Sequence, residues 1–327
     1  MGDVLLLMPG DPLHPRRVDP HFEPEAAAAR EAGHRVAVVD HDGLEAPGGA
    51  VAAVAGVPTA GSVVAGVPES RKAHSDKDLG SSERSNERWN PDQDGPAVYR
   101  GWMLRTERYA DFATALAARG VVLHTSPGEY RRAHELPGWY PALSGLTPPS
   151  VWTSGSDRAD FDRCRRELGS GPVVLRDYTK SMKHYWDEAA FIPEIAAADA
   201  AWRVAARFLE LRDDAFVGGF VLRRYEDFDA AETRTWWVDG RCVLIGAHPD
   251  APDQSPPDDL DLSPVATVMA ELRLPFVTVD LAHRTDGTWR VVELGDGQVS
   301  DRPTTLEAGA LIAAIASPAS VSVPAAD

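Results

Sequence analysis

Residues 276–303 read FVTVDLAHRTDGTWRVVELGDGQVSDRP, two runs of strand-forming residues joined by a short polar turn. Neighbouring runs of this kind pair as a hairpin, which commits this part of the chain to a β-sheet. The segment places Asp280 near one strand end and Glu293 and Asp296 just after the next, with Gly295 and Gly297 on either side of Asp296. Single carboxylates end many strands because strands end in solvent. Three on one hairpin form a hard oxygen donor set of the kind that holds a divalent cation such as Mg2+, which binds through one or two carboxylates together with substrate phosphates. A nucleotide site is the expected companion.

A chain of 327 residues accommodates two domains. Its 33 Lys and Arg against 50 Asp and Glu give a formal charge of -17, which argues against nucleic acid as the main partner. Any bound phosphate must rely on a local basic patch and a metal. The sequence lacks an apolar run of about 18 residues for a membrane span, and MGDVLLLMPGDP has no basic leader region, so a cytoplasmic protein is expected. Cys164 and Cys242 stand far apart, without the spacing of a disulfide framework or zinc site.

The chain opens as strand, loop, helix, strand, over residues 4–8, 24–32 and 35–40, the start of an open α/β layer. The long loop after the first strand carries Asp11, His14, Arg16, Arg17 and Asp19, but no G-x-G-x-x-G fingerprint, so no dinucleotide site is expected there. Residues 56–95 lack apolar periodicity and read as a disordered insertion. Order resumes with AVYRGWML as a strand, where Arg100 is a candidate anion contact, then a helix over 108–119 and a strand over 121–125. Residues 131–141 link to a second region: helix 157–168, strand GPVVLRDY, a polar and aromatic loop TKSMKHYWDEAAFIPE, and helix 199–211. Three strands follow over 219–225, 233–238 and 241–246, with Asp239-Gly240 as a two-residue hairpin signal. Helix 262–272, the acidic hairpin and a last helix over 304–315 complete the pattern.

This order, together with the phrases YRGWML, VVLRDYTKSMKH and VVELGDGQ, resembles the ATP-grasp superfamily, and within it a group of short bacterial and phage proteins. The resemblance covers residues 130–314. It implies an α/β chain, α+β in the grasp lobes: an N-terminal open α/β domain over 1–128, a two-lobed ATP-grasp domain over 129–316, and a flexible tail over 317–327.

The resemblance also implies roles for individual residues. Arg176 stands where the family has a lysine that touches the ATP phosphates; charge is kept, but a guanidinium forks where an ammonium is a point charge. Lys180 and Lys183 on the next loop would cover phosphates. VLRRYEDF resembles the hinge that meets adenine, with backbone contacts from Val221, Leu222, Arg223, Arg224 and Tyr225 and a ribose contact from Glu226 or Asp227. Arg234 would face phosphate or acyl-phosphate, or pair with Glu232 across strands. Asp280 and Glu293 match the metal ligands. The usual third ligand, an asparagine, is here Gly295, and Asp296 is the nearest replacement.

With ATP and Mg2+ as cofactors, the implied reaction is ligation of a carboxylate to an amine through an acyl-phosphate, with Arg234, Lys183 and His184 as catalytic candidates. The partners expected are small-molecule or peptide carboxylates and amines, not nucleic acid or membrane; oligomeric state is open, a homodimer included. Two alternatives share the fold: nucleotide binding without turnover, and a kinase that releases a phosphorylated small molecule.

Overall fold

The computed structural model describes residues 4–59, 96–228, 232–258 and 260–316. Residues 60–95 of the expected insertion and the expected tail lie outside that range. The chain divides into two compact units at His124/Thr125.

In the first unit, strand β1 (Leu5–Asp11) runs parallel to β3 (Arg35–Val39) and β4 (Ala97–Tyr99). Its Leu5–Met8 stretch is buried, as a parallel strand covered on both faces requires. The loop expected after β1 is instead a hairpin. β2 (His14–Val18) folds back antiparallel on the end of β1, at a register shift between Gly10 and Asp11. Helices α1 (Glu23–Glu31), α2 (His41–Glu45), α3 (Ala50–Ala53) and α4 (Thr106–Ala117) complete the unit. Arg100, expected as an anion contact, is fully buried and donates from Nε and Nη2 to the carboxylate of Glu25 at 2.8 and 2.9 Å. It serves the core of this unit as one half of an ion pair.

The second unit opens with two helices where a linker was expected, α5 (Pro127–His134) and α6 (Leu136–Leu143). The Ser126 side chain accepts from the Glu129 backbone while the Glu129 carboxylate takes the Ser126 N–H, a capping box that fixes the start of α5. Two four-stranded antiparallel sheets follow. The first has the order β5 (Ser150–Trp152), β8 (Val221–Arg224), β6 (Val173–Arg176), β7 (Phe191–Ile192). The second has the order β10 (Arg241–Ala247), β9 (Thr233–Val238), β11 (Phe276–His283), β12 (Trp289–Asp296).

Each sheet has its own core. Helices α7 (Arg158–Leu168) and α8 (Ala198–Arg212) cover the first; Ala201, Ala205 and Phe208, at helical spacing, meet Leu175 and Leu222. Helix α6 and α9 (Ser263–Leu272) cover the second, with Trp139 and Met269 in one cluster with Trp237, Val277 and Val279. The turn between β9 and β10 uses positive φ at both Asp239 (48°) and Gly240 (77°), the primed geometry that matches strand twist. A last helix, α10 (Ala308–Ala316), ends the described chain. Among the described residues no helix is long and apolar enough to cross a membrane.

Candidate nucleotide and metal site

Strand β11 lies between β9 and β12, and its register sets Asp280 opposite Arg234 on one side and Glu293 on the other. Directly paired residues project to the same face, so these three side chains meet. Arg234 donates from Nε and Nη2 to the two oxygens of Asp280, both at 2.8 Å, and from Nη1 to the carbonyl of Asp301 at 2.9 Å. Its partner is therefore Asp280 and not Glu232, the other pairing the sequence allowed. Burial alone would push the Asp280 carboxyl up, but the guanidinium outweighs it and holds the group down at about 2.

Glu293 meets a second arginine, from the other sheet. Arg176 on β6 donates from Nη2 to Glu293 Oε1 at 2.8 Å, and to the carbonyl of Thr179 at the same distance. Burial works against ionisation of Glu293, yet the charges of Arg176 and then Lys180 bring its carboxyl below the ordinary value. The loop that follows β6 is shaped by Asp177, which is fully buried. Its Oδ1 accepts from the Thr179 N–H, the Thr179 hydroxyl and the Lys180 N–H, and its Oδ2 accepts from Arg212 Nε at 2.9 Å. Lys180 is exposed beyond this knot. Lys183 and His184 stand exposed on the turn Lys183–Tyr185, where the Lys183 ammonium pairs with Asp250.

Two residues join the site that were not expected in it. His248 follows β10, and its N–H donates to the Glu232 carbonyl at 3.2 Å, so the β9–β10 hairpin delivers Glu232 and His248 together beside Asp280. His248 Nε2 lies 3.6 Å from Asp280 and 3.8 Å from Glu232, while Asp250 approaches Nδ1 at 3.6 Å. Burial, and next the Asp280 charge, push the Glu232 carboxyl up to about 7. Burial opposes protonation of His248, but Asp280 beside it raises the imidazole above its usual range. Arg234 Nη2 sits 3.2 Å from His248 Nε2, so a guanidinium already stands as the cation within this group. The only signal in the sequence was register: residue 248 faces residue 232 once Ala247 pairs with Thr233.

Asp296 is placed differently from the expectation. It pairs with Val277, whose side chain is in the core, and so projects away from the face shared by Asp280 and Glu293. Asp296 Oδ1 accepts from the Gln298 N–H at 2.9 Å and the Gln298 amide at 3.1 Å, capping the turn Gly297–Val299. At Gly295, on the metal face, a Cβ would stand 3.3 Å from Thr278 Oγ1 and 3.5 Å from Ser300 Oγ. Two hydroxyls, themselves 2.8 Å apart, take the space where a side chain would start.

The hinge also needs correction. β8 is an interior strand, so the backbone groups of Val221, Leu222, Arg223 and Arg224 are committed to β5 on one side and β6 on the other. Their expected backbone contacts with adenine are therefore not open. Tyr225 lies past the strand, half-exposed against Trp186 and Phe191. Glu226 is taken by Arg290, whose Nε and Nη2 donate to its carboxylate at 2.9 and 3.1 Å, leaving exposed Asp227 as the freer acid for a ribose.

Residues 167–315 match a family profile described as an ATP-grasp domain, the third family of its clade. The chain contains an ATP-grasp domain. Structures with this fold superpose over nearly the whole chain. A RimK domain protein ATP-grasp from Sphaerobacter thermophilus DSM 20745 is 16% identical, with 95% of this chain and 98% of that one covered at a TM-score of 0.56. The D-cycloserine synthetase DcsG is 18% identical, covering 96% and 100% at 0.55. The macrocyclase MdnC, bound with precursor peptide MdnA, from Microcystis aeruginosa MRC is 12% identical, covering 97% and 100% at 0.53. No curated protein sequence matches the chain. In the ATP-grasp domain, the two antiparallel sheets described above are the two lobes. The arginine that stands at the family's lysine position bridges them.

Proposed function

We propose that this protein is an ATP- and Mg2+-dependent ligase that joins a carboxylate to an amine through an acyl-phosphate. The observation that carries the reading is the pairing of Asp280 with Glu293 on one sheet face, each with a guanidinium against it. Two oxygen-donor side chains side by side fit a hard divalent ion that takes its remaining ligands from phosphate and water. When bound, Mg2+ neutralises phosphate charge and holds the phosphate oxygens in place.

The chain's own residues supply the rest. Arg176, with Lys180 beyond it, would leave the carboxylate for the nucleotide phosphates, where a forked donor suits two oxygens at once. Arg234, held between Asp280 and His248, would face the transferred phosphoryl group and absorb charge as it develops. A substrate carboxylate oxygen attacks the γ-phosphorus, the bond to the β,γ-bridging oxygen breaks, and ADP leaves. The amine nitrogen then attacks the acyl carbon, phosphate departs with the C–O electron pair, and the nitrogen gives up a proton. No base is needed in the first step, since a carboxylate is already a nucleophile.

The known relatives of this fold include a D-cycloserine synthetase and a macrocyclase bound to a precursor peptide. They support testing both small molecules and peptides. The experiment is phosphate release from ATP against pools of amino acids, dipeptides and peptides, with mass spectrometry of the products. A product lighter by one water than its two substrates together supports ligation. A phosphorylated product in its place would make the protein a kinase, and nucleotide binding without phosphate release would reject turnover.

A further inference from the structure

Arg223 is buried, 6% exposed, at the middle of an interior strand, and its partners are all neutral oxygens. Its Nη1 donates to the carbonyl of Val292, and its Nη2 donates to the carbonyl of Val291 at 2.9 Å and to Thr147 Oγ1 at 2.5 Å. Thr147 Oγ1 in turn donates to the Val291 carbonyl at 2.8 Å. Among the described residues its Nε has no hydrogen-bond partner. A buried guanidinium with no hydrogen-bonded acid is costly, and burial, then the nearby Arg176 charge, push it down to about 10. Core packing alone would be met by an apolar residue of the same length.

The two carbonyls it grips explain the charge. The β11–β12 register pairs Asp280 with Glu293 and Leu281 with Val291, so Val292 is an extra residue, a β-bulge immediately before Glu293. Bulges bend a strand and re-aim the side chain beside them. Without the extra residue, the alternation of the strand would turn Glu293 to the opposite face. We infer that Arg223, with Thr147, is the positioning residue that locks this bulge and thereby aims Glu293 at the metal position. The inference rests on the proposed metal role of Glu293, while the clamp itself is independent of it.

Two measurements on Arg223→Met, Arg223→Lys and Thr147→Val separate the two. Hydrogen exchange of the Val292 and Glu293 amides reads the clamp directly. Arg223→Met should lose protection over residues 291–294 with the rest of β11 and β9 unchanged, and unchanged protection there would overturn the inference. The ratio of nucleotide affinity with and without Mg2+ reads the aim of Glu293. It should fall by about 10-fold or more in Arg223→Met, the range for loss of an outer-shell partner. Thr147→Val should lower it less, and Arg223→Lys should recover part of it. A purely structural role would lower both affinities together and leave the ratio intact, which also overturns the inference. If Glu293→Gln leaves the ratio at the wild-type value, the metal role of Glu293 fails, and the exchange data alone decide the clamp.

Discussion

Arg176 reaches from one lobe of the ATP-grasp domain to Glu293 on the other, its Nη2 lying 2.8 Å from the carboxylate. With Arg234 doubly bonded to Asp280, both candidate metal carboxylates carry an internal cation. Metal and nucleotide therefore have to arrive together: the cation takes the carboxylates as the phosphates take the arginines.

Arg176→Gln separates these effects. Freed from its guanidinium, Glu293 should bind Mg2+ or Mn2+ alone more tightly than in the wild type, while nucleotide binding weakens. Titration of Mn2+ followed by electron paramagnetic resonance, with and without nucleotide, measures both. Arg176→Lys restores the family's residue and should keep most nucleotide affinity.

Arg234→Met leaves Asp280 buried without its guanidinium. Removal of one partner from a buried pair costs about 3–5 kcal/mol, while replacing both by apolar residues is close to neutral. Urea unfolding should show a large loss for Arg234→Met and recovery of much of it in Arg234→Met combined with Asp280→Leu.

Asp296 and Glu293 should respond in opposite ways. Asp296→Asn weakens a turn cap, with a loss of about 1 kcal/mol in stability, and leaves the effect of Mg2+ on nucleotide binding in place. Glu293→Gln should remove most of that effect. Melting curves and nucleotide titrations on the pair decide it.

His134 supplies a pH dependence. It is buried against the Tyr130 ring at 5.1 Å, and burial, then the Lys180 charge, bring the imidazole down to about 4 from its ordinary 6.5. The unfolded chain takes up a proton below pH 6.5 that the folded chain refuses until about pH 4, so stability falls as pH drops through that window. At about 1.4 kcal/mol per pH unit the loss is about 3 kcal/mol. Urea unfolding of wild type and His134→Phe at pH 7 and pH 4.5 should show a smaller loss in the variant.

Much of this was legible because it is local. The β9–β10 turn is announced by Asp239-Gly240, and the acidic hairpin by alternation on both sides of its turn. The capping box Ser126-Pro-Gly-Glu129 was also present, but Gly128, Gly138 and the prolines around it break the periodicity by which helices are recognised. His248 was not legible, since it joins the site only through the register of β10 on β9. Nor was the role of Asp296, because one bulge at Val292 shifts the face of every residue on that side of β12 relative to simple counting.

The central claim is that Asp280 and Glu293 hold Mg2+ only together with a nucleotide. Isothermal titration of the protein with a non-hydrolysable ATP analogue, with and without Mg2+ and with Glu293→Gln alongside, tests it most directly. The account predicts binding that tightens with Mg2+ in the wild type and no longer does so in the variant. Equal affinity in the presence and absence of Mg2+, or a Mg2+ effect that survives in Glu293→Gln, would contradict it.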